Sequence, residues 1–246
     1  MREQLKLVGF AAAICLVCSI ILACLSRGLQ ERQEMNQAND IKKKVLSVFG
    51  LEITDTKGKL LISQQDLDSL FSSSITSIVL DGNGNVVPDK NVSDLLPEEI
   101  NKRDKATGLK QFYPLYIFTD QTNDKKRYGI HVSGKGLWST VKGYMALEDD
   151  LDAIAGLVIY EHQETPGLGG EIEKPDFQDG FADDKHWLDQ DGKVQRFRIV
   201  KPGSPIDRHS VDGVTAATMT CRGVEAFLNE DFIVYNKYFE KAGLRN

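Results

Sequence analysis

Residues 212–228 read DGVTAATMTCRGVEAFL, with hydroxyls at Thr215, Thr218 and Thr220 just ahead of an amphipathic helical pattern. Two chemistries suit that placement. Threonine side chains satisfy the orphan N–H groups of a helix's first turn, so capping alone accounts for such a cluster. One hydroxyl of the three can instead carry a covalently attached group.

Two glycine-rich stretches have the texture of site-builders: SGKGLWSTVKGY at 133–144 and ETPGLGGEIEKP at 164–175. Glycines admit close approach of a ligand or a neighbouring strand, and they equally serve as tight turns between strands. Neither stretch is a phosphate loop, since both G-x-G-x-x-G and the Walker pattern are absent. Trp138 sits in a strand-like context, where it either fills the core, the commoner fate of a tryptophan, or stacks on a flat ligand. His131, His162, His186 and His209 share no zinc-site spacing, so no metal is expected. No H-E-x-x-H or G-x-S-x-G appears, leaving hydrolase chemistry without support. The DGNGN run at 81–85 fails as a calcium loop, because Val86 and Val92 stand where glycine and a bidentate glutamate are required. It reads as a hairpin turn.

The elements that position these residues follow from patterning. Residues 7–25 carry no charge and are long enough to cross a bilayer as one helix. The alternative is a cleaved signal peptide, and ILAC at 21–24 resembles a lipobox that would lipidate Cys24. A juxtamembrane helix over 28–50 ends at Gly50. Residues 51–112 are polar and mixed, an α/β segment. From 113 onward, YPLYIFTD, RYGIHVSG, GLWSTVKGYMALED and IAGLVIYEH predict an antiparallel sheet. Val224, Phe227, Leu228, Phe232 and Tyr235 recur at helical spacing, predicting a helix over 222–240 that packs on that sheet. The expected class is therefore α+β: an anchor (1–27), a juxtamembrane helix (28–50), the mixed segment (51–112) and a C-terminal domain (113–246). A net charge of −6 gives no basic footprint for nucleic acid. Cys221 is the lone cysteine after the apolar run, so the soluble part has no intrachain disulfide.

The single N-terminal span, SGKGLWS (133–139), YEHQETPGLGGEIE (160–173), IVKPG (199–203) and VDGVTAATMT (211–220), in that order, resemble the C-subunit family of the sodium-translocating NADH:quinone reductases. That family lies within the wider FMN-binding domain family, which includes the Rnf G subunits. The resemblance implies an FMN-binding domain over 113–246 and FMN joined through its phosphate to the last hydroxyl of an S/T-G-A-T/S motif. A flavin transferase forms that phosphoester with FAD as donor.

Carried onto this chain, Thr218 is the attachment residue, within a motif of Asp212, Gly213, Thr215, Ala216 and Ala217. Ala216 departs from the usual glycine, at a cost of about 1 kcal/mol if that position needs a positive φ. The resemblance further implies flavin contacts from Trp138, Glu164, Thr165, Gly167, Leu168 and Lys201. It implies a single-pass subunit of the bacterial inner membrane with its soluble domain in the periplasm, relaying electrons among partner subunits that handle NADH, quinone and Na⁺. The segment at 51–112 and the YEHQETPGLGGEIE wording favour it over an Rnf-type G subunit. The rival outside redox chemistry is a lipid-anchored, flavin-free binding module of the same fold.

Overall fold

A computed structural model describes residues 2–55, 59–122 and 124–245. The chain divides into two units, up to Ile41 and from Lys42 on. The two helical stretches expected over 7–25 and 28–50 run as one helix, α1 (Arg2–Val48). The joining residues are mostly good helix formers with no proline, so continuing the helix costs less than restarting it. Val8–Leu29 is apolar and, at the helical rise, about 33 Å long, enough to cross a membrane. The helix ends at Gly50 in a Schellman arrangement: Leu51 N donates to Leu46 O at 3.2 Å and Gly50 N to Ser47 O at 2.9 Å.

Lys42 onward is α+β. A five-stranded antiparallel meander runs in the order β1 (Ile75–Leu80), β2 (Tyr113–Thr119), β3 (Lys126–Lys135), β4 (Thr140–Leu147), β5 (Ile154–Glu161). Helices α2 (Gln64–Ser74) and α3 (Pro97–Asn101) flank β1, and α4 (Pro175–Gln178) follows β5. A parallel pair, β6 (Arg198–Val200) and β7 (Ser210–Asp212), leads into α5 (Thr218–Lys241). The mixed segment thus contributes β1 as an edge strand of the same sheet. The DGNGN hairpin forms there, with the Asp81 carboxylate accepting the Asn83 and Asn85 amides at 2.8 and 2.9 Å.

The strands' period of two sorts side chains onto two buried faces. Leu115, Ile130, Val132, Val141 and Met145 face a core completed by Val224, Phe227, Leu228, Phe232 and Tyr235 of α5. Tyr116, Tyr144 and Ala146 face the opposite way, against Val45, Leu46, Val48 and Phe49 and Leu67 of α2. Every apolar position assigned to the C-terminal helix is buried.

One buried ion pair ties α5 to this sheet. Lys110 Nζ lies 2.7 and 2.8 Å from the two carboxylate oxygens of Asp231, and neither side chain is more than 2% exposed. Ser133 N also donates to Asp231 Oδ2 at 3.0 Å, and Lys110 Nζ reaches Ser133 O and Oγ at 3.2 Å. Burial pushes the Asp231 carboxyl up to about 6 against the opposing pull of the Lys110 ammonium.

Candidate functional site

The loop between β7 and α5 sets the geometry of the threonines. Gly213 N donates to Val200 O at 2.7 Å, extending the β6–β7 register, and Gly203 N donates to the Asp212 carboxylate at 3.2 Å. Val214 N donates to Cys221 Sγ at 3.3 Å, and Ala217 N to Val214 O at 3.2 Å, so the loop turns tightly back onto its own helix. Ala216 takes φ +61°, the left-handed conformation that favours glycine. The one letter that departs from the family motif therefore falls where glycine has a physical advantage. Ala216→Gly is expected to stabilise the fold by about 1 kcal/mol, read as a raised midpoint in denaturant unfolding.

Capping does not explain the hydroxyls. The cap position is Ala217, which supplies no side-chain acceptor, and Thr218 is the first helical residue, with its side chain exposed. The first-turn amides are thus left to meet an anion, at the positive end of a helix dipole. Thr215 is exposed on the loop. Thr220 is buried and donates its hydroxyl to Glu164 Oε2 at 2.6 Å.

Thr218 opens onto a cleft of about 1030 Å³, which also takes in Lys201, Gly213, Thr215 and Ala216. Its floor is the α5 face that carries Thr218, Arg222, Glu225 and Asn229, at helical spacings of four, seven and eleven. Glu225 and Asn229 hold the β6 wall: Glu225 Oε2 accepts Ile199 N at 3.0 Å, and Asn229 Oδ1 accepts Phe197 N at 2.8 Å. Arg196 pairs with Glu225 at 2.6 Å. No sequence motif singles out Arg222, Glu225 and Asn229, although counting helical turns from Thr218 puts them on its face. An exposed hydroxyl, an uncapped helix start, a nearby lysine and a cleft of this size fit a flavin mononucleotide.

The GLWS segment, expected within a strand, is the turn between β3 and β4, closed by Gly136 N donating to Ser139 O at 2.8 Å. The reason is nonlocal: Glu164 collects the amides of Leu137, Trp138 and Ser139 at 3.2, 2.9 and 3.1 Å. Trp138 does not fill the core. It stands 71% exposed, next to a smaller cleft of about 580 Å³ that includes Ser139, Lys142, Glu161 and His162. Thr165, Gly167 and Leu168 lie exposed on the following turn, stitched by Leu168 N and Gly170 N donating to Thr165 O at 3.1 and 2.9 Å.

Glu164 is the exception among the expected contact residues, being buried behind that surface. Helix α5 comes close to the same turn, since a Cβ at Gly223 would run into Lys135 O and lie 3.0 Å from Gly136 Cα. Through Glu164 and Gly223, the three motifs read separately in the sequence converge on the first turns of α5.

Residues 136–230 match the FMN-binding domain family. The chain is 30% identical over 227 residues to the C subunit of the Na(+)-translocating NADH-quinone reductase of Vibrio vulnificus, covering 89% of this chain and 87% of that protein. It is 31% identical over 238 residues to its counterpart in Pseudomonas aeruginosa, with the same coverage. Among solved structures, the C subunit of the Parabacteroides distasonis reductase superposes with a TM-score of 0.69 at 25% identity, over 85% of this chain and 96% of that one. NqrC of Shewanella oneidensis gives 0.65 at 27% identity, over 82% and 97%. With this similarity covering 89% of its length at 30–31% identity, the chain belongs to the C-subunit family of the Na(+)-translocating NADH-quinone reductases.

Proposed function

We propose that this chain is a membrane-anchored flavoprotein subunit that carries FMN as a phosphoester on Thr218 and relays electrons through it within a Na⁺-translocating NADH:quinone reductase. The observation that carries the reading is the position of Thr218: an exposed hydroxyl on the first residue of a helix whose cap position offers no side-chain acceptor, lining a large cleft. FMN bound there supplies the redox chemistry, and the protein supplies attachment, orientation and charge.

In maturation, the Thr218 hydroxyl oxygen would bond to the flavin-side phosphorus of FAD on a transferase as the pyrophosphate P–O bond breaks, with AMP leaving and the hydroxyl proton released to solvent. The first-turn amides of α5 would then hold the phosphate, and the Lys201 ammonium, which lines the same cleft, would offset its negative charge. Trp138 and Leu168 present exposed apolar surface for the ring system, with Thr165 and Gly167 on the adjoining turn. In this reading residues 1–27 anchor the chain in the inner membrane, 28–50 lead away from it, 51–112 buttress the sheet edge, and 113–246 hold the flavin on the periplasmic side. Covalent attachment prevents loss of the cofactor to that compartment. NADH, quinone and Na⁺ fall to partner subunits.

The test is a denaturing gel of the chain produced in a host that supplies the transferase. Flavin fluorescence is expected to migrate with the wild-type band, and a dark wild-type band contradicts the proposal.

A further inference from the structure

The family resemblance places Glu164 against flavin, but its surroundings describe another task. It is 4% exposed and takes hydrogen bonds from five donors: the amides of Leu137, Trp138 and Ser139 and the hydroxyls of Ser139 and Thr220. Both carboxylate oxygens act as acceptors, an arrangement that suits the ionised form. Burial pushes this carboxyl up, but the bonds from Thr220, Trp138, Ser139 and Leu137 outweigh it and hold the group below its ordinary value.

The space around the carboxylate is closely fitted. A Cβ at Gly136 would lie 2.7 Å from Glu164 Oε1, and one at Gly169 would lie 2.5 Å from Thr220 Oγ1 and 3.0 Å from Glu164 Oε2. The glycines of both motifs therefore leave room for this one carboxylate and its threonine. The contacts span 25 to 27 residues to the turn and 56 to Thr220, so they join parts of the chain that nothing local holds together.

We propose that Glu164 and Thr220 form a positioning clamp, which fixes the Trp138 turn to the first turn of α5 so that the indole and the Thr218 hydroxyl keep a set spacing. The consequence for flavin rests on the reading of Thr218 given above, whereas the clamp itself belongs to the protein without cofactor. Thr220→Val keeps the side-chain volume and removes the donor. Thr220→Ser keeps the donor. Glu164→Gln turns an NH₂ group toward donors, so at least one of the five bonds is lost.

The experiment uses the full chain, purified both without the transferase and flavin-loaded, with circular dichroism to confirm folding. In the unloaded protein, exchange of the Trp138 and Ser139 amides is expected to accelerate about tenfold or more in Thr220→Val and Glu164→Gln, and to stay at the wild-type rate in Thr220→Ser. In the loaded protein, a clamp that holds the exposed indole against the flavin quenches its emission, so emission is expected to rise in Thr220→Val and to stay at the wild-type level in Thr220→Ser. If Glu164→Gln does not fold, Thr220→Val carries the same comparison. Wild-type exchange rates in Thr220→Val overturn the clamp, and unchanged flavin emission in its loaded form overturns the set spacing of indole and Thr218. Absence of flavin from wild-type Thr218 overturns the proposed function instead, and the exchange measurement still decides the clamp.

Discussion

Thr218→Ala is expected to abolish covalent flavin, leaving a folded chain whose band is dark on a denaturing gel. The phosphoester requires an oxygen nucleophile, and neither neighbouring threonine stands on the first residue of the helix. Thr215 lies on the loop before Ala216, whose left-handed backbone turns the chain between the two threonines. Thr220 is buried and donates to Glu164 at 2.6 Å. Loss is therefore complete rather than redistributed. Thr218→Ser restores attachment because it returns the hydroxyl at the same backbone position. Stability changes little, within about 0.5 kcal/mol, because the Thr218 side chain is exposed and makes no cap.

The second large effect concerns stability. Asp231→Asn or Lys110→Met is expected to cost roughly 3–5 kcal/mol, since each leaves the other member of a dry pair without its counter-charge. In a domain of this size that lowers the thermal midpoint by about 6–20 °C. The double replacement Lys110→Met with Asp231→Leu should recover most of the loss, because an apolar pair has no desolvation penalty to offset. Thermal unfolding of the detergent-solubilised chain measures all three variants. A single variant that melts with the wild type would show that the pair is not a buried ion pair in solution. The cluster also fixes Ser133, at the start of SGKGLWS, so these variants should loosen the Trp138 turn as well.

Much of the scaffold was legible because its signals are local. Period two marked β2 to β5, and helical spacing identified the buried face of α5. The apolar N-terminal run identified itself by length. What the sequence withheld depends on contacts between distant segments. The GLWS residues read as strand, yet they form a turn because a carboxylate 25 to 27 residues away gathers their amides. Trp138 read alone looked like core, and the same contact presents it to solvent. Strand β1 was hidden in a polar, mixed segment whose pairing with β2 no local pattern announces. The role of Thr220 depends on a partner 56 residues away. Ala216 is the opposite case: a single letter out of family pattern pointed to a positive φ, and the backbone has one. The family resemblance assembled the motifs into a site before geometry did, and it gave no sign that Glu164 is also the buried acceptor behind the turn.

The central claim is a phosphoester at one hydroxyl, and mass spectrometry of the tryptic peptide 209–222 tests it most directly. That peptide contains Ser210, Thr215, Thr218 and Thr220, so fragmentation distinguishes the four oxygens. Chain produced with the transferase is expected to carry the mass of FMN less one water on Thr218, with the other three hydroxyls unmodified. An unmodified peptide, or the added mass on any of the other three, would contradict the account.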